Sequence, residues 1–374
     1  MDSLFPDSYE SSRARFLRDV ELLRDKWAAS RLESHPLKDF PNLSIDWLWV
    51  EPRVKETLVI VTTAQHGIEG YAGSAMLKVF MDEFAPRLDS DHVGLLLVHA
   101  INPWGMKHCY RVNPNHVDLN RNFTSDGKYD PGINPDFKLL TKFLNPQRPV
   151  RTLRAESIPF LLKTLRYMIH PGKARIQMAA LLGQHCDPQG IYFGGRDRQE
   201  ETAVLMDLYR AGLREYQNLI QIDIHTGYGP RYQMAVIIPA LDPITSAESQ
   251  KKFKYPLVQK VDANEFFAIS GDMGEYVYRL RDAAFPNRRV FTCGFEFGTF
   301  GDSLPARIRS LQITILENQL RHQGAASHQA EHEVRKEYEE LFFPAEATWR
   351  DKAIADCRQA YEGMFRAFNL FSRS

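Results

Sequence analysis

Four residues in three distant stretches of the chain have types and settings that could together do hydrolytic chemistry. The stretch "QHGIE" offers His66 and Glu69 three residues apart, "DIHTG" offers His225, and "GFEFG" offers Glu296 among apolar neighbours. Two imidazoles and one carboxylate, with a fourth position left for water, form the donor set of a catalytic zinc site. With no thiolate in the set, Zn²⁺ there remains a strong Lewis acid. Glu296 would be a second carboxylate that does not bind the metal. A glutamate desolvated at the end of a buried strand has a raised pKa, as a general base near neutrality requires. Taken alone, H-x-x-E is a weak pattern, and a turn with a solvated glutamate and a stray histidine would account for it.

The loop "YRVNPNHVDLNRNF" adds Arg111, Asp118, Asn120 and Arg121 within eleven residues. Arginine suits bidentate capture of a carboxylate and stabilisation of a developing oxyanion. Asp118 has the chemistry to accept a hydrogen bond from the unligated nitrogen of a metal-bound imidazole. Each of these also has a bland explanation, because Asn and Asp occupy turns in any loop and an exposed Arg is commonly solvated. What joins them is position: His66, Glu69, His225 and Glu296 all fall at strand exits.

Those strands are legible as apolar runs. "IDWLWV" (45–50), "TLVIVTTA" (57–64), "VGLLLVHAIN" (93–102), "LIQIDIHTG" (219–227), "QMAVIIPA" (233–240) and "RVFTCGFEFG" (289–298) read as strands. The unbroken run Leu58–Val61 suits a strand covered on both faces. A helix from Gly70 to near Pro86 between two strands makes a βαβ-type unit. The pattern predicts an amphipathic helix over 8–35, with Phe16, Val20, Leu22, Leu23 and Trp27 at helical spacings. Residues 103–133 form a long loop rich in Pro, Asn, Gly and Asp, of the kind that carries function. Residues 134–198 read as a mainly helical insertion, with "GIYFGG" a short strand or turn. Helices are expected over 199–216 and from "LPARIRSL" onward. The expected fold is α/β: a mixed, mostly parallel twisted sheet with helices on both faces. Residues 1–325 would form the catalytic domain and 326–374 a helical C-terminal extension packed on it.

Bulk properties narrow the function classes. Of 374 residues, 44% are hydrophobic and 25% charged, a globular balance. Lys+Arg and Asp+Glu are both 47, so the net charge is zero, which removes the electrostatic reason to expect nucleic acid or an anionic membrane as partner. The N-terminus has no apolar core of a secretory signal, and no stretch approaches the roughly 18 apolar residues of a membrane span. The four cysteines are scattered without a C-x-x-C pair, which fits neither a disulfide framework nor a thiolate zinc site. A cytoplasmic protein is the expectation.

Over roughly residues 55–320 the sequence resembles the zinc carboxypeptidases, the M14-like metallopeptidase clan, and within it an uncharacterised bacterial branch of DUF2817 type. The resemblance rests on "QHGIE", on "NPWG" followed by "YRVN" and "DLNRNF", on "DIHTG", and on "FEFGT", in that order. It implies His66, Glu69 and His225 as ligands of one Zn²⁺, and Glu296 as the catalytic glutamate. It further implies Arg111 as the oxyanion-stabilising arginine, Asn120 and Arg121 as the pair gripping the substrate's terminal carboxylate, and Asp118 as the acid orienting the first histidine. The implied activity is cleavage of an amide next to a free carboxylate, in a peptide or an acyl-amino acid.

The sequence departs from the clan in two places. The clan usually has a mobile tyrosine just before a Ser-Gly pair. Here Phe267 holds that place, and Tyr276 and Tyr278 are substitutes at the wrong spacing. The insertion has no counterpart in the simple digestive enzymes and could bring His185, Tyr192 and Arg196 to the cleft. Asp272 and Glu275 fall where side-chain specificity is set in the clan, and Asp272 also suits a helix N-cap. Spare histidines (His99, His108, His116, His185) make a second metal conceivable. An aminoacylase-like deacylase is the nearest alternative, and a binding protein that has lost catalysis is a more distant one. No G-x-G-x-x-G follows a strand, so a dinucleotide-binding protein leaves the His/Glu set unexplained.

Overall fold

In the computed structural model, which describes residues 4–261 and 269–372, the chain opens with α1 (Tyr9–Arg24), β1 (Ala29–Leu37) and β2 (Phe40–Glu51). Next come β3 (Thr57–Thr62), α2 (Gly70–Val79), β4 (Val93–His99) and α3 (Pro103–His108). The insertion supplies α4 (Pro135–Leu144), α5 (Leu153–Tyr167) and α6 (Lys173–Leu181). The chain returns to the sheet through α7 (Glu200–Glu215), β5 (Asn218–Thr226), β6 (Met234–Ile238), α8 (Ser246–Phe253) and β7 (Val258–Lys260). It ends with α9 (Met273–Ala284), β8 (Arg289–Phe297), α10 (Leu304–Gln323), α11 (His328–Phe342) and α12 (Ala347–Ala367). Among the described residues no helix is long and apolar enough to cross a membrane.

The expected helix over 8–35 stops at Arg24. Residues 29–37 pair instead with β2 as an antiparallel hairpin, an edge strand whose outward positions alternate with half-buried ones. Trp27, which fits the helical stripe by spacing, lies beyond α1 and donates its indole N–H to the Val93 carbonyl at 2.8 Å. "GIYFGG" forms a turn with a single bridge, Gln184 to Phe193.

The strands form one sheet in the order β1-β2-β4-β3-β5-β8-β6-β7. The centre, β4-β3-β5-β8, is all parallel, and β2 and β6 run antiparallel on its two sides. The sheet is therefore mixed and mostly parallel, as expected. Alternate side chains of β3 enter two cores. Val59 and Val61 pack with Met76 and Phe80 and with Tyr361 and Phe365 of α12. Leu58 and Ile60 pack with Leu205, Tyr209 and Val277 of α7 and α9. Helices on both faces explain why the strand is apolar at every position.

β3 is flanked by β4 on one side and β5 on the other, so connections leave it in opposite directions. At such a switch point the carboxyl ends of the strands open a crevice in which α/β proteins bind ligands.

The C-terminal helices complete this rim. Trp349 of α12 is buried and donates its indole N–H to the Gly298 carbonyl, just past β8, at 2.8 Å. Thr226 and Thr299 donate hydroxyls to the carbonyls of Phe342 and Leu341. Trp349→Ala should therefore cost about 3–5 kcal/mol of stability, the range for emptying a buried aromatic site. A urea titration reads this as a fall in midpoint at unchanged slope; a loss below about 1 kcal/mol would mean that α12 is an accessory to the core.

Candidate metal centre

The H-x-x-E segment follows β3 directly. His66 precedes a 3₁₀ turn, Gly67–Glu69, that runs into α2, so the residues at i and i+3 lie on one side of the turn. Gly67 is required by close approach: a Cβ there would lie 2.1 Å from the backbone carbon of Gly105 in "NPWG". This backbone-to-backbone contact lets the Gly67 and Ile68 amides donate to the carbonyls of Arg111 and Tyr110 at 3.1 and 2.9 Å. The turn that presents His66 is thereby tied to the loop that presents Arg111. β5 and β8 are parallel neighbours in register, with His225 opposite Glu296.

The three expected ligands converge. Donor atoms of His66, Glu69 and His225 all lie within 4.8 Å of one another. Nδ1 of His66 and Nδ1 of His225 each lie 2.9 Å from a different oxygen of the buried Glu69 carboxylate. On their far sides, His66 Nε2 lies 3.2 Å from Asp118 Oδ1, and His225 Nε2 lies 2.6 Å from Asp223 Oδ2. Asp223 in turn accepts the Thr62 hydroxyl at 2.6 Å.

Both imidazoles are thus anchored through Nε2 on a carboxylate, and both turn Nδ1 inward. An Nε2–H donated to a carboxylate leaves a lone pair on Nδ1, the tautomer that a metal ligand needs. Two such nitrogens and a carboxylate facing one another suit a divalent cation, and Zn²⁺ in particular, since the set is nitrogen and oxygen with no sulfur. The residues present fit the metal.

The electrostatics are those of a paired charge cluster. Burial works to raise the Glu69 carboxyl, but the two imidazoles outweigh it and hold the group below the usual carboxylate range. Asp118 is held well below its range in the same way, its burial outweighed by Arg111 and Arg121. Arg111 donates Nε–H to Asp118 Oδ2 at 3.0 Å and Nη1–H to Glu69 Oε1 at 3.3 Å. For Glu296 the balance tips the other way: burial, reinforced by the negative charge of Glu69, pushes its carboxyl up to about 7 against the opposing His225. One Glu296 oxygen accepts the Tyr228 amide at 2.9 Å.

A cavity of about 440 Å³ opens over these groups, within the size range of small-molecule sites. It is lined by His66, Glu69, Arg111, Asn120, Arg121, Tyr192, His225, Asp272, Glu275 and Glu296. The Tyr192 ring lies 5.4 Å from the guanidinium carbons of both Arg111 and Arg121. Asn120 Oδ1 accepts from Gln65 and from the Met273 amide. Arg121 is buried, donates to the carbonyls of Asn120 and Leu181, and keeps an Nε with no partner among the described residues. Asp272 caps α9 by accepting the Glu275 amide at 2.8 Å, and Glu275 pairs with Arg279 at 3.2 Å.

Two cleft candidates from the insertion are not at the cavity. His185 lies with Nδ1 2.8 Å from the Gly195 carbonyl, its ring edge-on to Tyr129. Arg196 is exposed at the surface. The sharp turn through "FGGRD" leaves Arg196 at the surface, while His185 is buried against Gly194 of that turn. Phe267 lies outside the described residues. Tyr278 donates to Asp242, and Tyr276 packs on Phe123; neither lines the cavity, whereas Tyr228 does. No second His-rich group gathers among the described residues: His99 is stacked on Phe16 beside Ser12, and His116 abuts His322.

Asp223 and Tyr228 escape a reading of the sequence alone. The D-x-H spacing in "DIH" is the signal for the first, because residues two apart on a strand share a face.

Residues 5–356 match the model of a family described as "Protein of unknown function (DUF2817)". No curated protein matches the sequence. Among solved structures, the chain is similar to bovine thrombin-activatable fibrinolysis inhibitor in complex with tick carboxypeptidase inhibitor, at 14% identity and a TM-score of 0.47 over 89% of this chain and 98% of that one. It is also similar to carboxypeptidase A from Helicoverpa armigera, at 13% identity and a TM-score of 0.46 over 89% and 73% of the two chains. An aspartoacylase family protein from Mesorhizobium loti matches at 14% identity and a TM-score of 0.36 over 78% and 66%.

Proposed function

The chain belongs to the DUF2817 family, and from its own site we propose that it is a zinc-dependent hydrolase that cleaves an amide bond next to a free carboxylate. The observation that carries this reading is the pair of inward-facing Nδ1 atoms, each imidazole anchored by its own aspartate, with Glu296 in register on the adjacent strand.

His66, Glu69 and His225 would hold the cation, which when bound supplies Lewis-acid polarisation and acidifies a water molecule. Glu296 accepts a proton from the attacking water and returns it to the departing amine, a task matched by a carboxyl pushed up to about 7. Arg111, fixed by Asp118, stabilises negative charge developing on the carbonyl oxygen. Asn120 and Arg121 hold the substrate carboxylate. A buried guanidinium with a free Nε is a favourable partner for an anion, and fixing that end positions the amide.

The insertion gives the cavity an apolar wall of Met168, Ile176, Ala180 and Leu181, which favours N-acyl amino acids as a second substrate class beside peptides. One panel tests both. The zinc-loaded protein is offered peptides and acyl-amino acids, each with a free carboxylate and as its amide. Amidation is expected to lower kcat/KM about ten- to hundredfold, the worth of a charge-assisted contact. Equal cleavage of acid and amide would remove Asn120 and Arg121 from the assignment.

A further inference from the structure

Helix α5 is apolar on two sides. One side, with Phe160, packs into the insertion's own core against Phe143 and Ile176. The other carries Ile158, Leu161, Leu162 and Leu165, continued by Ile169 in the wide turn that follows. The spacing is i, i+3, i+4, i+7 and i+11, a single stripe. These side chains are 68%, 46%, 62%, 48% and 85% exposed. Elsewhere in the described chain large exposed apolar residues are scattered, which is normal, whereas a contiguous stripe marks an interaction site.

The charge around the stripe indicates what it meets. Residues 151–175 contain Arg151, Arg154, Lys163, Arg166, Lys173 and Arg175 against the single acid Glu156. Glu156 is taken up by Arg148 and Arg151. Among the described residues Arg154, Lys163 and Arg166 are exposed and have no carboxylate partner. The zero net charge of the chain averages over this concentration, so it does not speak against an anionic surface at this helix.

We propose that the exposed face of α5 docks the protein on an anionic lipid bilayer. An apolar stripe flanked by Lys and Arg is the pattern of a helix that lies in the plane of a membrane surface, apolar side chains at the acyl boundary and cations at the headgroups. A protein partner would be expected to offer carboxylates or a complementary groove; a bilayer satisfies the stripe and the cations together. The same helix turns Thr164, and the wide turn after it Met168, into the cavity wall, so docking brings the cavity to the lipid interface.

Co-sedimentation of the protein with vesicles tests this independently of any hydrolysis. Vesicles of phosphatidylcholine and phosphatidylglycerol in equal parts should carry the protein down, and phosphatidylcholine alone should carry far less. Raising salt from about 0.1 to about 0.5 M should weaken binding, because the attraction is screened. The triple variant Leu161→Ser/Leu165→Ser/Ile169→Ser should bind at least about tenfold less, given the apolar area removed from the interface. Lys163→Glu/Arg166→Glu should lose the preference for anionic vesicles. All five positions are solvent-exposed, so melting temperature and zinc content should stay at wild-type values in both variants. Failure of the wild-type protein to sediment with anionic vesicles would overturn the proposal. So would a wild-type dimer, without vesicle binding, that the triple variant makes monomeric, because the stripe would then be an interface between copies of this chain.

Discussion

The Glu296→Gln variant is expected to hydrolyse its substrate at least about a hundredfold more slowly than wild type, the usual loss when a general acid–base is removed. Glutamine preserves shape and can still accept the Tyr228 amide that Glu296 accepts at 2.9 Å, so the strand end has no reason to move. It also removes a carboxyl whose ionised form is disfavoured by burial and by Glu69, so the fold should be at least as stable as before. Glu296 is not part of the converging donor set, so zinc content should be unchanged. Rate and metal content are therefore measured together on the same preparation. Near-normal turnover with full metal would place the base elsewhere. A wild-type protein that holds zinc but turns over nothing in the substrate panel would favour a binding scaffold.

The site was legible in the sequence to the extent that strand exits are legible. Leu58–Val61 and "LIQIDIH" read as buried strands because helices cover both faces, and such strands end where α/β sheets present ligands. Choosing His66, His225 and Glu296 as candidates drew on residue type, place in the chain and the resemblance carried by "QHGIE", "DIHTG" and "FEFGT".

Pairing decides what was not legible. Asp223 reads as one polar residue in a strand until the register sets β5 between β3 and β8, where its carboxylate can meet both Thr62 and its own strand's His225. The false extension of α1 has the same origin. Ser30, Leu32 and Ser34 carry no strong signal of their own, and only the partner strand β2 makes them a hairpin. Arg196 lies in a tight turn and His185 is buried beneath it, and a sequence cannot say which way such a turn faces. The stripe on α5 shows the converse. Its apolar content was legible as helix, but whether Leu162 or Phe160 faces the core depends on tertiary packing alone.

Loss of one imidazole should have the largest effect on the cation. In His225→Ala, one of two nitrogen donors is gone and Asp223 is left buried without the imidazole 2.6 Å away. Zinc after dialysis should fall from one equivalent to near zero, and hydrolysis should fall with it. Asp223→Asn separates the ligand from its support. Asparagine can still bond His225 Nε2 through its side-chain oxygen as acceptor, but it no longer offers a negative charge to raise the basicity of the imidazole. Losing such a partner typically costs about 10–100-fold in metal affinity, so this variant should bind zinc weakly and recover activity when zinc is supplied in excess. Asp118→Asn should weaken zinc in the same way through His66, whose Nε2 lies 3.2 Å from Asp118, but should regain less activity in excess zinc, because Arg111 loses the carboxylate that fixes it. Competition with a chelator of known affinity, followed by elemental analysis, ranks the four proteins. The order expected is wild type tightest, the two aspartate variants together in the middle, and His225→Ala last. Wild-type affinity in His225→Ala would mean that the ion sits elsewhere, and the roles given to Glu69, Arg111 and Glu296 would fall with it.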